Sequence, residues 1–185
     1  PYSSPASLIG SPWLIDLSDL HDDGLLTGDE LVLGLDPADG NVDFPRARER
    51  KAPLLRAAAR RLLETPTHPL FDAWRAWRDA HPWIHEAALF GELRTEMDGE
   101  PWWRWPAALR DRDETALAQA RQTHADAIAE REVLAFLFDH QWSRLQEAAS
   151  SSGVLVVGDL PIYVSRDSAD AWVDRDLFEF DAEGR

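Results

Sequence analysis

The chain contains 185 residues, of which 44% are hydrophobic and 29% charged, values typical of one globular domain with a core of its own. Its 34 acidic and 19 basic residues give a formal net charge of −15, which repels phosphate backbones, so we expect no nucleic-acid partner. No cysteine is present and no apolar run is long enough to span a bilayer, which excludes disulfides and thiolate metal sites and leads us to expect a cytoplasmic protein without a membrane partner.

The first twenty residues predict an irregular loop that passes into a short extended run. Residues 1–13 carry Pro, Ser and Gly at the density of turns. Leu14, Ile15 and Leu17 follow as the apolar positions of the extended run. Tyr2 stands among small residues, where its ring is able to reach a ligand.

An acidic segment, residues 21–44, lacks sustained periodicity and is interpreted as a solvated loop. It contains four oxygen-bearing side chains that invite comparison with a calcium site: Asp36, Asp39, Asn41 and Asp43. Their spacing does not match the EF-hand, which requires alternating ligands before a glycine and a glutamate downstream. We therefore predict no calcium site.

From Pro45 to Ser152 the sequence pattern is helical. Pro53 suits the first position of a helix, and apolar residues follow it at helical spacing: Leu54, Leu55, Ala58 and Leu62. Pro66 and Pro69 predict a break. The apolar stripe of the next helix consists of Leu70, Trp74 and Trp77.

A third helix is predicted from Pro82, with Glu86, Phe90, Leu93 and Met97 on one side and its end at Asp98, Gly99 and Pro101. His81 and His85 are four apart, a spacing that can hold a metal on a helix. Because Pro82 indicates a helix boundary between them, we interpret both as surface or capping residues.

The run WWRWP, with Trp102, Trp103 and Trp105, is one cluster among nine tryptophans in the chain. A flat apolar ring can bind a sugar, but the favoured interpretation is a hydrophobic plug between helices. Residues 113–152 follow without Gly or Pro. A single helix of that length would approach about 60 Å, so we expect a bend or two helices.

The four apolar residues Val154–Val157 predict a strand, and the lack of polar alternation predicts burial on both faces, as in a parallel sheet. Asp159 follows at the strand end, where α/β barrels place their chemistry. Asp167 and Asp170 are further carboxylates, although DSAD is also a helix-start sequence, and capping is favoured for Asp167. No motif for acyl or phosphoryl transfer is present. These residues alone indicate an acidic α/β protein with a strand-end carboxylate.

Five motifs resemble the 4-α-glucanotransferases, the amylomaltase or disproportionating-enzyme family, and occur in the order of that family. They are PYSSPASLIGSPWLIDL, WIHEAALF, PWWRWPAALRDRD, LFDHQW, and VVGDLPIYVSRDSADAW with DLFEFDAEGR after it. Three positions depart from the family pattern, Leu8, Ser11 and Ala87, where the family has an aromatic residue, Asn and Tyr.

The resemblance implies part of a (β/α)₈ barrel enzyme that transfers α-1,4-glucan segments between maltooligosaccharides, with retention, by double displacement and without a cofactor. It also implies that this chain is an internal fragment. In the family two barrel strands come before the first motif, and the Asp nucleophile, the Glu acid/base and a third Asp come after the position of Arg185. We therefore expect no catalytic residue within the chain and no activity from the chain alone.

Two positions match residues of the family's sugar site, and a third helps to form it. The resemblance implies that Tyr2 lies against the sugar at the donor site and that Asp159 is a supporting polar residue rather than the nucleophile. Pro161 and its loop help to shape the site. The implied organisation is a barrel-edge loop at residues 1–20, a mainly helical insertion at 21–152, and a barrel strand with its loop at 153–185.

Two other functional hypotheses remain open. One is a non-catalytic helical module that binds carbohydrate or a partner through exposed aromatic residues. The other is a hydrolase of the α-amylase type, which the helical motifs favour less than the transferase.

Overall fold

A computed structural model describes residues 4–34, 43–159 and 162–180. In these ranges the regular structure is helical and no β-strand occurs. Short 3₁₀ turns lie at Pro12–Leu14, Trp102–Arg104 and Arg175–Leu177. The α-helices are α1 (Leu17–Asp22), α2 (Gly28–Gly34), α3 (Phe44–Glu64), α4 (Pro69–Ala80), α5 (Trp83–Glu96), α6 (Ala107–Arg110), α7 (Glu114–Thr123), α8 (Ala125–Ser151) and α9 (Ala169–Val173).

The first of two compact units comprises Pro1–Ile9, His81–Ala129 and Val157–Arg185. Its core is rich in aromatic rings. The ring of Trp172 is fully buried and lies 5.8 Å from that of Phe90 and 5.7 Å from that of Trp105, centroid to centroid. Apolar residues of α5 and α7 complete this core: Ala88, Leu89, Leu93, Leu117 and Ala120. The short helix α9 is therefore packed against this core, which we call the platform.

The second unit comprises Gly10–Ala80 and Glu130–Val156. Its core collects the apolar faces of α1, α3 and α8: Leu17, Leu20, Leu54, Leu55, Ala58, Leu62, Val133, Phe136 and Leu137. The Gln141 side chain forms two hydrogen bonds to the backbone of Asp16, accepting from its N–H at 2.7 Å and donating to its carbonyl at 3.0 Å. Lys51 donates to the carbonyls of Trp13 and Ile15 at 2.7 and 2.6 Å.

The prediction that Pro53 starts a helix is wrong, because α3 begins at Phe44 and Pro53 lies inside it. Asp43 caps this earlier start by accepting a hydrogen bond from Arg46 N at 3.1 Å, and a proline, Pro45, stands in the first turn. Pro53 is exposed, so the carbonyl that loses its helical partner can be hydrated.

Two further differences lie in the N-terminal half. The predicted extended run is not formed: Leu14 ends a 3₁₀ turn and Leu17 begins α1, which the Asp16 carboxylate caps by accepting from Ser18 N and Asp19 N. The segment interpreted as a loop contains α2, whose start is a capping box: Thr27 N donates to Glu30 Oε2 at 2.7 Å and Glu30 N to Thr27 Oγ1 at 3.3 Å. Of the residues compared with a calcium site, Asp36, Asp39 and Asn41 lie outside the described residues.

Several helix boundaries confirm the sequence predictions. The predicted break at Pro66 and Pro69 separates α3 from α4. The predicted third helix is α5. It starts at Trp83, which places a boundary between His81 and His85, and it ends before Asp98 and Gly99, both of which have positive φ. Residues 113–152 form the two helices α7 and α8 rather than one.

The predicted buried strand is not formed. Residues 154–159 have no regular structure, and their apolar side chains are exposed, Leu155 at 88% and Val157 at 91%. A strand is held by hydrogen bonds from neighbouring strands. The part of the chain that the structure describes contains no other strand that could supply them.

Each helix within residues 4–34, 43–159 and 162–180 is too short or too polar to cross a lipid bilayer.

Candidate functional site

The residues singled out for a sugar site fall on two segments of the first unit. Asp159 is exposed, in the irregular stretch that follows the apolar run. Tyr2 and Pro161 lie outside the described residues. What the structure does describe is the segment after Tyr2, residues 4–9, and the segment after Pro161, residues 162–168. Both segments are attached to the first turn of α9.

Ser168 starts α9 from a fully buried position, where its hydroxyl oxygen accepts a hydrogen bond from Ala171 N at 3.2 Å. The prediction that Asp167 caps this helix is therefore wrong by one residue. The small hydroxyl fits the buried cap position, whereas a carboxylate there would need a charged partner. Asp167 has such a partner elsewhere.

Asp167 anchors the segment that follows Asp159. Its Oδ2 lies 2.8 Å from Arg94 Nη2 on α5, and its Oδ1 accepts a long hydrogen bond from Trp102 N at 3.4 Å. Next to it, the carbonyl of Arg166 accepts from the indole N–H of Trp102 at 2.8 Å. The segment is thus held on the platform by one ion pair and two hydrogen bonds.

The segment that follows Tyr2 is held at the same place. Ala169 N donates to the carbonyl of Pro5 at 2.8 Å, and Ser7 N donates to Asp170 Oδ2 at 2.9 Å. Ala6, between these two contacts, is buried in the core that includes Trp172. The start of α9 therefore joins two parts of the chain that are far apart in the sequence.

The tryptophan run is a structural plug, as the favoured interpretation predicted. Trp102 and Trp105 are buried, and the indole N–H of Trp105 donates to the carbonyl of Glu100 at 2.8 Å. Arg166 stacks over the partly buried ring of Trp103, 3.6 Å from the ring centroid. With their N–H groups bonded inside the protein, Trp102 and Trp105 serve packing.

Behind α9, a charged cluster supports Trp172. The guanidinium of Arg112 lies 4.3 Å from the centroid of the Trp172 ring and forms an ion pair with Glu86 at 2.6 Å, and Arg121 also pairs with Glu86. Burial acts to raise the pKa of Glu86, but the two guanidinium groups outweigh it and lower that pKa below its ordinary value. Glu86 is therefore an ionised structural residue.

Asp167 and Asp170 are engaged in holding the two segments, so neither is arranged as one half of an acid/base pair. Within the described ranges, no three His, Asp or Glu side chains gather closely enough to hold a metal ion. The chemical role that this arrangement supports is the positioning of other groups. It presents Asp159 to solvent and holds the segments next to Tyr2 and Asp159 in place.

Sequence reasoning missed the partners that hold these segments, namely Arg94, Ser7 and Ser168. The only local signal was the serine of DSAD, a residue type that caps helices as readily as aspartate does.

Comparison with known proteins shows that the chain is similar to one family over nearly its whole length. The family model described as 4-alpha-glucanotransferase matches residues 1–184. A 4-alpha-glucanotransferase of Thermus thermophilus is 35% identical over 188 residues, covering 100% of this chain and 36% of that protein. The chloroplastic/amyloplastic 4-alpha-glucanotransferase DPE1 of Oryza sativa subsp. japonica is 35% identical over 187 residues. The matched region covers 100% of this chain and 31% of the rice protein.

A solved structure of the same family is also similar to this chain. An amylomaltase from Streptococcus agalactiae in complex with acarbose superposes with a TM-score of 0.89 at 29% identity, covering 100% of this chain and 37% of that one. This chain therefore spans about a third of the length of the relatives it matches.

Proposed function

This chain belongs to the 4-alpha-glucanotransferase family, and from that membership we propose that the protein of which it forms a part transfers α-1,4-glucan segments between maltooligosaccharides. The observation that carries the proposal is the family match over residues 1–184. The acarbose bound to the similar amylomaltase of Streptococcus agalactiae supports an oligosaccharide as the substrate class.

We propose a retaining double displacement, in which a carboxylate attacks the anomeric carbon and a second carboxyl group acts as acid and then as base. Asp167 and Asp170 are committed to structural contacts, which agrees with a nucleophile and an acid/base supplied by other parts of the protein. In this scheme Asp159 hydrogen-bonds a sugar hydroxyl or a catalytic neighbour, Tyr2 lies against the donor sugar, and Pro161 and the following loop help to shape the site.

The exposed run Val154–Val157 is the part of the chain that most needs a partner. We propose that it becomes a strand of a (β/α)₈ barrel whose other strands belong to the rest of the protein. Four consecutive apolar side chains exposed to water are unfavourable in a folded protein. Pairing would bury them and bring Asp159 to the carboxyl end of a barrel strand, where such barrels have their active sites.

The remaining organisation follows from the same proposal. Residues 1–20 form a barrel-edge loop, residues 21–152 a mainly helical insertion, and residues 153–185 the strand and its loop. We propose a cytoplasmic location. The plastid name of the rice relative makes fractionation of the source cells, with an antibody against this chain, the direct test.

Incubating the full-length protein with maltotriose tests the proposed activity. We expect glucose together with maltodextrins longer than maltotriose, resolved by anion-exchange chromatography, since a transferase passes the cleaved segment to another sugar. Glucose and maltose without longer products would instead identify a hydrolase. A boiled sample is the control for contaminating sugars.

The same assay on the 185-residue chain alone tests where the catalytic groups lie. We expect no transfer, and disproportionation by the purified chain would contradict the assignment of nucleophile and acid/base to other parts of the protein. Titration with maltoheptaose, followed by tryptophan fluorescence, tests the alternative of a binding module, because tight binding by this chain alone would favour that alternative.

A further inference from the structure

His68 immediately precedes α4, and its ring joins two parts of the second unit. We propose that His68 is a proton-sensitive lock, which ties the turn after α1 (residues 23–26) to the start of α4 only while its imidazole is neutral. Acidification across the range in which histidine titrates, between about pH 8 and about pH 5, should then loosen this turn. The lock is independent of the proposed transfer reaction, since no residue of the proposed sugar site takes part in it.

The two ring nitrogens of His68 face backbone groups that cannot exchange their roles. Nδ1 accepts from Leu70 N at 3.1 Å, and because an amide N–H only donates, Nδ1 carries no hydrogen. Nε2 lies 2.8 Å from the carbonyl oxygen of Asp23, which only accepts, so Nε2 carries a hydrogen. The neutral Nε2–H tautomer is therefore the one form of the ring that makes both hydrogen bonds.

At the start of α4, the ring of His68 acts as a capping group. The helix begins at Pro69, and Leu70 N is one of the first-turn N–H groups that have no acceptor within a helix. Nδ1 supplies the acceptor, in the place that a hydroxyl or carboxamide oxygen takes in most helices. A protonated Nδ1 would point its hydrogen at a donor and would bring a positive charge to the positive end of the helix dipole.

The other half of the lock is a tight turn whose shape is fixed. Gly24 has a φ of 76°, in the left-handed region, and Leu25 N donates back to the carbonyl of Leu20 at 2.8 Å. Leu25 is fully buried, which holds the turn against the core of the second unit. The Asp23 carbonyl in this turn is therefore a fixed acceptor for the ring of His68.

Charged groups on the surrounding elements do not change the direction of the effect. Carboxylates favour an imidazolium, whereas guanidinium groups oppose it. Neither kind of charge supplies Leu70 N with an acceptor, so protonation of the ring breaks that hydrogen bond in either case. The groups on the elements near the ring are Asp19, His21, Asp22 and Asp23 at α1, Glu30 on α2, Arg61 and Glu64 on α3, Asp72 on α4, and Arg144 on α8.

A second contact holds the same turn and does not titrate in this range. Arg61 donates to the carbonyl of Leu25 and to the carboxylate of Glu30, at 3.1 and 3.0 Å for the two bonds to Glu30. The Arg61 guanidinium lowers the pKa of Glu30 to about 2, so this contact persists throughout the histidine range. Loss of the His68 contact should therefore open the turn locally and leave the second unit folded.

Two substitutions in the full-length protein separate the halves of the lock. In His68→Asn the amide oxygen takes the place of Nδ1 and keeps an acceptor for Leu70 N. In His68→Gln the amide nitrogen takes the place of Nε2 and keeps a donor for the Asp23 carbonyl. Neither side chain titrates. His85→Asn, at an exposed histidine of the first unit, is the matched control.

Hydrogen exchange of residues 20–26 and 69–74, compared between proteins at the same pH, measures the opening of the lock. At about pH 8 we expect the wild type to exchange about twofold to tenfold more slowly than either His68 variant, the effect of one hydrogen bond. At about pH 5 this advantage should be gone, because the imidazolium no longer accepts from Leu70 N. His85→Asn should match the wild type at both values. An advantage of equal size at both values would overturn the proposal.

The ring itself provides a readout that does not depend on stability. In full-length protein labelled with ¹⁵N in its histidine rings, the signals of His68 are those missing from His68→Asn. At about pH 8 they should show a hydrogen on Nε2 and none on Nδ1, and at about pH 5 a hydrogen on both. A hydrogen on Nδ1 at the higher pH would contradict the lock, whatever the exchange rates.

Discussion

The carboxylate of Asp167 forms an ion pair with the guanidinium of Arg94, with 2.8 Å between Oδ2 and Nη2. The pair joins α5 to the segment that follows Asp159, and both side chains are partly shielded from water. An aspartate next to a helix start would ordinarily be expected to cap that helix. Here Ser168 takes the cap and leaves Asp167 available for the longer-range contact.

We expect Asp167→Ala to destabilise the chain by about 1 kcal/mol, the scale of a partly exposed ion pair that also accepts one backbone hydrogen bond. The remaining guanidinium of Arg94 would face the segment without its acceptor. Urea unfolding measures the change, with Asp176→Ala as an exposed control. Equal midpoints for wild type and Asp167→Ala would show that the segment is held by the tryptophan contacts alone.

Trp172 is the centre of the first unit, and its replacement should be among the most damaging in the chain. The ring has no exposed surface, and its N–H donates to the carbonyl of Leu109 at 3.1 Å. Trp172→Ala should cost about 3–5 kcal/mol by creating a cavity and leaving that carbonyl unpaired. Trp142→Ala, at a ring that is 37% exposed, is the control, and an equal loss in both variants would contradict the assignment of the core.

Much of the helical core could be predicted from the sequence because helical periodicity encodes burial directly. Leu54, Ala58 and Leu62 recur on one face and are buried in the structure. Helix ends were harder, since capping depends on which side-chain oxygen reaches a free backbone N–H. Thr27 and Glu30 form a capping box in a segment that lacks periodicity, so the search for periodicity missed α2.

The strand prediction shows a second limit of what local sequence can predict, after the helix ends. Apolar residues at 154–157 have the composition of a buried strand, but burial of a strand requires neighbours, which are not a property of the run itself. The same holds for the contacts at α9. Ser7 and Asp170 are 163 positions apart, and no local pattern at either residue encodes the other.

Glu30 makes the stability of the second unit depend on pH. The Arg61 guanidinium forms two hydrogen bonds to the Glu30 carboxylate at 3.1 and 3.0 Å, and Thr27 N donates a third. Arg61 first and Thr27 second lower the pKa of Glu30 from 4.5 to about 2. Because the folded pKa lies below the ordinary value, the contribution of Glu30 is fully present above pH 4.5 and is lost as the pH falls toward 2.

Glu30→Gln tests this dependence while keeping the side-chain shape. At neutral pH we expect the variant to be less stable than wild type by about 1 kcal/mol, a value reduced by solvent screening of a partly exposed pair. Toward pH 2 the two chains should converge. Urea unfolding at both pH values measures the difference, with Glu49→Gln at an exposed position as the control. A constant difference across this range would rule out the carboxylate charge as its source.

Asp159→Asn tests the proposed role of the exposed carboxylate in the full-length protein. A supporting residue that hydrogen-bonds a sugar or a catalytic neighbour should lower turnover when its charge is removed, by about tenfold to a hundredfold, the range of one or two charge-assisted hydrogen bonds. Loss of the nucleophile itself would be far larger, so the size of the effect distinguishes the two roles. Because Asp159 is exposed in this chain, the substitution should leave the thermal midpoint of the isolated chain unchanged. Wild-type turnover of maltotriose by Asp159→Asn would remove this residue from the sugar site.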